Sequence, residues 1–223
     1  RSEETVDGIR VVRVWSYITA NQGFARRVLD YLSFMATATL AGLHVRDVDV
    51  IVGTSPQLFT ACAARILGSL KRRPWVFELR DLWPESIKAV GAMRESAAIR
   101  WLERLELHLY RHATRIVSVT ESFKRTLVAR GIDGAKIDVV TNGVDIARFS
   151  PRPKDAALVR QLGLEGRFVA GYIGTHGMAH ALETLLDAAE LLARMPGAES
   201  FCLLLLGDGA RKAELVAEAQ RRG

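Results

Sequence analysis

Residues 114–151, TRIVSVTESFKRTLVARGIDGAKIDVVTNGVDIARFSP, contain the pattern that decides the fold class. The β-branched run Arg115–Val119 predicts a strand. Thr120 is a suitable N-cap and Gly131 a suitable stop for the helix between them. A second β-branched run, Lys136–Val140, follows directly. Strand, helix and strand in close succession predict a βαβ unit, whose two strands run parallel.

The same alternation of strand and helix continues on both sides of this stretch. Further strands are predicted at Ile9–Trp15, Val48–Val52, Trp75–Leu79, Phe168–Ile173 and Phe201–Leu206. Further helices are predicted at Phe24–Leu43, Gln57–Leu70, Ala98–His112, Leu182–Arg194 and Arg211–Arg222. The strands are almost continuously apolar, which is typical of parallel sheets covered by helices on both faces. The sequence therefore predicts an α/β protein.

The alternation is interrupted by a segment with two prolines and scattered charge, between Asn142 and Gly166. We therefore predict two Rossmann-like domains, residues 1–148 and 167–223, joined by a linker at residues 149–166. Residue 1 is Arg, and the last helical pattern reaches the end of the chain. We expect the chain to be an internal piece of a longer protein, so that the first domain lacks its start and the second its end.

The composition excludes a disordered chain, because 49% of the residues are apolar and only 25% are charged. The net charge of +6 suits anionic partners such as acidic lipids, but it equally suits simple solubility. No apolar run approaches the ~18 residues that would predict a membrane span. Cys62 and Cys202 stand in apolar runs, which predicts buried thiols in a reducing cytoplasm instead of a disulfide.

Ligands of doubly wound sheets bind at the carboxyl ends of the strands, so polar residues that follow strands are the candidates for a site. Glu78, Arg80, Asp81 and Glu85 lie within eight residues at the end of one strand. Burying that much charge without partners is costly. Either Arg80 pairs structurally with the carboxylates, or the group lines an active cleft. Asn142-Gly143 follows a later strand and predicts a turn with positive φ.

Two glycine-containing loops follow the strands of the second domain. Gly174–His180 leads into a helix, and such a turn either binds phosphate through free N–H groups or is an ordinary tight connection. Its two histidines also suggest a zinc site, although no further ligand is evident nearby. Gly207-Asp-Gly209 begins like a dinucleotide fingerprint, but Lys212 replaces its third glycine. A dehydrogenase is therefore disfavoured, while a nucleotide-side loop remains open.

These segments together resemble glycosyltransferase family 4, which has the GT-B fold. The resemblance runs through most of the chain and is most specific in the segment ending NGVDIARFSP, residues 142–151. The segments DVDVIVGTSPQ, FELRDLWPESI, GYIGTHGMAHALETLLDAAELL and LLLLGDGARKAEL follow in the family's order. FELRDLWPESI and GTHGMAH look most similar to the bacterial subgroup that builds O-antigen, capsule or colanic acid, including WbuB-like fucosamine transferases.

The resemblance implies a retaining glycosyltransferase that needs no metal or other cofactor. Its donor would be a nucleotide-diphosphate sugar, a UDP-N-acetylaminosugar in this subgroup, bound on the second domain. Its acceptor would be a lipid-linked sugar or polysaccharide on the first. The family's diphosphate-binding Arg and Lys are matched here by Thr175 and His180, and its His-Asp pair by Arg80-Asp81.

The predicted site residues follow from these matches. Asp81, Arg80 and His180 are the predicted catalytic residues. The predicted donor-binding residues are Gly174, Thr175, His176, Gly177, Gly207, Asp208 and Gly209. The residues predicted to shape the interdomain cleft are Glu85, Thr120, Glu121, Asn142 and Gly143.

Two other functions fit the same residues. A GT-B-fold UDP-sugar epimerase needs no acceptor, and a non-catalytic module would bind a nucleotide sugar without turnover. Nucleic-acid binding is disfavoured because the basic residues are dispersed and not interleaved with aromatic ones. We expect a cytoplasmic protein. The basic and apolar helices of its first domain either contact the anionic inner face of the plasma membrane or form an ordinary solvated surface.

Overall fold

The structure, a computed structural model, describes residues 2–18, 24–82 and 96–222. It divides into two compact units, Arg1–Gly143 and Val144–Gly223. The segment predicted as a linker, residues 149–166, contains a short helix, Ala156–Gln161. Asp155 caps this helix by accepting hydrogen bonds from the backbone N–H groups of Ala157 and Leu158. The second unit therefore includes ordered structure before the predicted start of the second domain.

The elements of the first unit lie close to their predicted positions. Its strands are β1 (Ser2–Val6), β2 (Ile9–Arg13), β3 (Ile51–Thr54), β4 (Trp75–Leu79), β5 (Arg115–Ser118) and β6 (Ile137–Val139). Its helices are α1 (Phe24–Leu43), α2 (Leu58–Lys71), α3 (Ala97–His112) and α4 (Glu121–Ala129). Thr120 is the N-cap of α4, as predicted, and accepts a hydrogen bond from the N–H of Phe123.

The main sheet of the first unit has the order β3-β4-β5-β6, with every neighbouring pair parallel. Successive side chains of a strand point to opposite faces. On β4, Trp75, Phe77 and Leu79 point to one face and are almost fully buried. They share a core with Ile116 and Ile137 and with apolar residues of α2, α3 and α4.

The helices found in this core all meet that one face, whereas the sequence predicted helices on both faces. Val52 points to the opposite face and is 60% exposed. The exposed ion pair between Arg115 and Asp138 lies on the same opposite face. Within the described ranges, the helical layer is therefore one-sided. Helix α1 packs against α2, where Gly42 lies directly against Leu67.

The strand predicted near residue 9 is not part of the parallel sheet. It forms β2, which pairs antiparallel with β1 in a two-stranded hairpin. The turn residues Asp7 and Gly8 both have positive φ, 51° and 80°. This is the backbone of the tight hairpin turn that Asp-Gly favours. The sequence prediction missed β1 because its Ser, Glu and Thr residues lack an apolar alternation.

The second unit contains the parallel pair β7 (Phe168–Ile173) and β8 (Phe201–Leu206). Its helices are α5 (Ala156–Gln161), α6 (Glu183–Ala193) and α7 (Lys212–Arg222). Leu182, Leu186 and Leu215 form its small buried core, against which Tyr172 and Leu203 pack. Both cysteines are free thiols, but only Cys62 is buried as predicted, and Cys202 is half-buried. Burial raises the pKa of Cys62 to about 11.

Candidate active site

The carboxyl ends of the four parallel strands bring the predicted polar residues of the first unit to one edge of its sheet. Leu79 at the end of β4 lies opposite Ser118 at the end of β5. Ser118 in turn lies opposite Val139 at the end of β6. The turns that begin with Arg80 and Thr120 therefore follow neighbouring strands at the same edge. This is the edge at which parallel α/β sheets bind ligands.

The Arg80–Asp81 turn is fixed from the neighbouring strand by Ser55. The Ser55 hydroxyl oxygen accepts hydrogen bonds from the backbone N–H groups of Arg80, at 2.9 Å, and Asp81, at 3.3 Å. Ser55 is only 4% exposed. The sequence prediction did not include Ser55. The signal available was its position three residues after the predicted strand Val48–Val52, in the segment GTSPQ.

The side chains of Arg80 and Asp81 make no ion pair with each other or with any other side chain among the described residues. Arg80 is exposed, and Asp81 is half-buried. Burial is the largest cause of the raised pKa of Tyr110, and the charge of Glu106 is the second. The charge of Asp81 also helps to raise the pKa of this buried tyrosine. The alternative in which Arg80 pairs structurally with the neighbouring carboxylates is therefore not found among the described residues. Glu85 lies outside the described residues.

The remaining predicted cleft residues lie on the turns that follow β5 and β6. Thr120 and Glu121 begin α4, and both are exposed. Asn142 and Gly143 are also exposed and end the first unit. The turn with positive φ predicted for these two residues is wrong, because neither of them has a positive φ. Their assignment to a cleft remains a prediction.

In the second unit, the two predicted donor loops lie against each other at the carboxyl ends of β7 and β8. The N–H of Gly174 donates to the carbonyl of Leu206, at 3.0 Å, and the N–H of His176 donates to the carbonyl of Asp208, at 2.8 Å. The carbonyl of His176 accepts a further hydrogen bond from the N–H of Arg211, at 2.9 Å. The loops therefore form one continuous hydrogen-bonded surface.

Gly207 and Gly209 permit this close approach of the two backbones. A Cβ at Gly207 would lie 1.8 Å from the carbonyl oxygen of Gly174. A Cβ at Gly209 would lie 2.6 Å from the carbonyl oxygen of His176, and Gly209 has a φ of 153°. A side chain at either position would force the loops apart. The Gly-Asp-Gly sequence is thus explained by contact between loops and does not require a dinucleotide fingerprint.

The first donor loop offers fewer free N–H groups than predicted. The N–H of His176 is bonded to Asp208, whereas those of Thr175 and Gly177 have no acceptor within the described part of the chain. The loop also does not lead directly into a helix. A short 3₁₀ turn, Met178–His180, and Ala181 with a φ of 45° precede α6. The dipole of α6 therefore begins nine residues after Gly174.

The two histidines of this loop have different environments. The ring of His180 is exposed and lies 6.3 Å from the ring of Tyr172, measured between centroids. His176 is buried, and neither of its ring nitrogens has a hydrogen-bond partner among the described residues. Within the same residues, no three His, Cys, Asp or Glu side chains converge as metal ligands. His176 and His180 therefore have no third zinc ligand among the described residues.

Each of the two α/β units has polar loops at the carboxyl ends of its parallel strands, where open α/β sheets bind their ligands. The chain belongs to the glycosyl transferase 4-like domain family, whose model matches residues 1–143. It is 27% identical over 219 residues to a GDP-mannose-dependent alpha-mannosyltransferase of Mycobacterium tuberculosis. That match covers 96% of this chain and 52% of the relative, so the chain spans about half of that protein's length.

Solved structures with a similar fold are GT-B glycosyltransferases. Anabaena Alr3699/HepE, crystallised in complex with UDP, matches with a TM-score of 0.64 and 20% identity, over 87% of this chain and 49% of that one. Sucrose-phosphate synthase of Thermosynechococcus elongatus matches with a TM-score of 0.66 and 16% identity, over 97% and 54%. At these identities the likeness shows the fold, which is α/β with parallel sheets of the GT-B type.

Proposed function

We propose that the intact protein is a retaining glycosyltransferase that uses a nucleotide-diphosphate sugar. The observation that carries the proposal is the pair of joined loops at residues 174–177 and 207–209, in a chain of the glycosyl transferase 4-like family. The reaction breaks the bond between the anomeric carbon and the diphosphate oxygen. It forms a bond from the same carbon to an acceptor hydroxyl oxygen. The hydroxyl proton passes to a base.

The leaving diphosphate gains negative charge as its bond to the sugar breaks. Fixed donors aimed at that charge each contribute about 3–4 kcal/mol to transition-state stabilisation. We assign this task to the N–H groups of Thr175 and Gly177, which have no acceptor among the described residues, and to the exposed ring of His180. The proposal requires no metal ion. On the acceptor side, the carboxylate of Asp81 holds the acceptor hydroxyl and takes its proton, with Arg80 beside the acceptor.

For the donor we propose a UDP-N-acetylaminosugar, and for the acceptor a lipid-linked or polysaccharide sugar in cell-surface polysaccharide synthesis. The sequences FELRDLWPESI and GTHGMAH support this proposal, because they resemble the subgroup that builds O-antigen, capsule or colanic acid. The Anabaena structures in complex with UDP and with UDP-glucose support uracil as the base of the donor. A GDP-mannose donor is the second candidate, because the mycobacterial relative is named for that donor.

A thermal-shift screen of the intact protein with UDP-, GDP- and ADP-sugars tests the donor. A ligand at 100 times its Kd stabilises a protein by about 2.7 kcal/mol, enough to raise Tm measurably. We expect UDP-N-acetylaminosugars to raise Tm, and the GDP- and ADP-sugars to leave it unchanged. A shift with GDP-mannose alone selects the second candidate. No shift with any nucleotide sugar contradicts the proposed function.

We also propose that the first unit contacts an anionic membrane through α1. Leu29, Leu32, Leu40 and Leu43 of this helix are 51%, 37%, 61% and 41% exposed, although most of a soluble helix's leucines are buried. No helix in the described ranges has the length and apolarity to cross a bilayer. An apolar helix surface with cations nearby is the pattern of a helix that lies in the membrane interface.

The cations lie beside the carboxyl end of α1. Lys71 donates hydrogen bonds from Nζ to the backbone carbonyls of Leu43, at 3.1 Å, and Val45, at 2.6 Å. Lys71 is therefore occupied in capping α1 and is not itself a membrane-facing charge. It holds the exposed Arg72 and Arg73 next to this end of the helix.

Liposome flotation tests this contact. We expect the intact protein to float with vesicles that contain phosphatidylglycerol and to stay unbound with neutral phosphatidylcholine vesicles. Leu40→Glu should abolish flotation because it places a charge in the exposed apolar surface. Leu158→Glu, a matched change at an exposed leucine of the second unit, should leave flotation unchanged. Equal flotation of the Leu40→Glu variant and the unchanged protein would contradict the proposal.

A further inference from the structure

Ser55 stands at a point where two strands of the first unit are joined beyond their regular pairing. Its N–H donates to the carbonyl of Glu78, at 3.0 Å, which continues the β3–β4 ladder by one residue. Its hydroxyl oxygen then accepts the N–H groups of Arg80 and Asp81, which lie 25 and 26 residues further along the chain. A buried hydroxyl thus fixes the first two residues of the turn after β4.

We propose that Ser55 is a positioning residue for the acceptor side of the reaction. It acts through the Arg80–Asp81 turn, which carries the side chains assigned to the acceptor, and has no contact with the reacting atoms. This inference rests on the proposed function. The physical basis is that Arg80 and Asp81 have no ion pair with the described residues to orient them. The orientation of this turn therefore depends on its backbone bonds to Ser55.

The effect of losing these bonds is expected to be on the rate. A misplacement of about 1 Å at a reacting group can lower a rate by about 10²-fold. Ser55→Ala removes the only acceptor that the structure's described residues provide for these two N–H groups, while the sheet ladder through the Ser55 N–H remains. The donor loops belong to the other unit. The change should consequently lower kcat without altering the KM for the donor.

The experiment compares three variants of the intact protein in steady-state kinetics and in amide hydrogen exchange followed by NMR. Ser55→Ala should lower kcat by up to about 10²-fold, leave the donor KM unchanged and speed exchange of the Arg80 and Asp81 amides. Ser55→Thr keeps the hydroxyl and should retain most of the activity. Ser96→Ala is the matched control, because it removes another serine hydroxyl, the one that caps α3 through Ile99. It should leave kcat and both amides unchanged.

The outcomes separate an error about Ser55 from an error about the reaction. Unchanged exchange at Arg80 and Asp81 in the Ser55→Ala variant overturns the proposal, whatever the activity. An equal loss of kcat in the Ser96→Ala variant also overturns it, since the loss would then reflect stability. Faster exchange in a protein without transferase activity supports the positioning of the turn but contradicts the proposed function. Amide exchange can be measured without turnover, so it tests the role of Ser55 whether or not the protein has transferase activity.

Discussion

Replacing Asp81 with Asn is expected to lower kcat of the intact protein by about 10²–10⁴-fold, the usual contribution of a positioned acid or base. The amide keeps the size of the side chain but cannot accept the proton of the acceptor hydroxyl. The Asp81 carboxylate has no ion-pair partner among the described residues, so its loss removes no such described contact. The melting temperature should therefore stay within a few degrees of the original value. Steady-state kinetics and a thermal melt of the same preparation measure both quantities.

Asp138→Asn is the matched control for this change. Asp138 lies on β6. Its carboxylate pairs at 3.1 Å with Arg115 of β5, on the exposed face of the sheet. Exposed pairs of this kind contribute about 0–1 kcal/mol, so the control should melt normally and keep its kcat. If Asp81→Asn instead lowers Tm sharply and kcat only in proportion to the unfolded fraction, Asp81 has a structural role and the acceptor assignment is wrong.

Replacing His180 with Ala is expected to lower kcat by about 10²–10³-fold, the loss seen when a single fixed donor to a developing anion is removed. His180→Lys should retain activity because an ammonium group restores a donor with positive charge at the same loop position. The ring of His180 is exposed, so neither substitution should affect folding. The kinetics should be measured with saturating donor, where a loss of transition-state stabilisation lowers kcat itself.

His112→Ala is the corresponding control. Its ring is also exposed, but it stacks on His108 in α3, in the other unit, at 4.0 Å between ring centroids. Activity should be unchanged in this variant. Equal kcat in the His180→Ala, His180→Lys and unchanged proteins would remove His180 from the mechanism. The two backbone N–H groups of its loop would then be the remaining donors assigned to the diphosphate.

Most strands and helices were predictable because their local patterns are strong. The strands Trp75–Leu79, Phe168–Ile173 and Phe201–Leu206 and the helix Phe24–Leu43 have the predicted bounds. The hairpin at the start was not predicted, since β1 is polar and exposed on both faces. The turn sequence Asp7-Gly8 was the one local signal for it.

The packing of α1 shows what a helical stripe cannot establish. Leu29, Leu32 and Met35 have the spacing of one apolar helical stripe. In the structure Met35 and Tyr31 pack against the core, whereas Leu29 and Leu32 are exposed. Apolar residues occupy more than one side of this helix, so periodicity alone does not distinguish the core side. The tertiary contact of α1 with α2 determines which side of α1 faces the core.

The candidate site was predictable as a set of strand ends but not as a set of contacts. The rule that ligands bind at the carboxyl ends of parallel strands selects the two predicted donor loops and the Arg80–Asp81 turn, and the structure has all three at such strand ends. The hydrogen bonds of Ser55 to a turn 25 residues away have no local sequence signal. The same holds for the N–H of His176, which is occupied by a carbonyl of the second loop.

An amide NMR titration of the intact protein with UDP identifies directly the backbone groups that receive the diphosphate. We expect saturable shifts of the Thr175 and Gly177 amides, whose N–H groups have no acceptor among the described residues, and of the His180 side chain. Saturable binding of UDP that leaves the amides of residues 174–177 and 207–209 unmoved, and shifts residues elsewhere, would contradict this assignment.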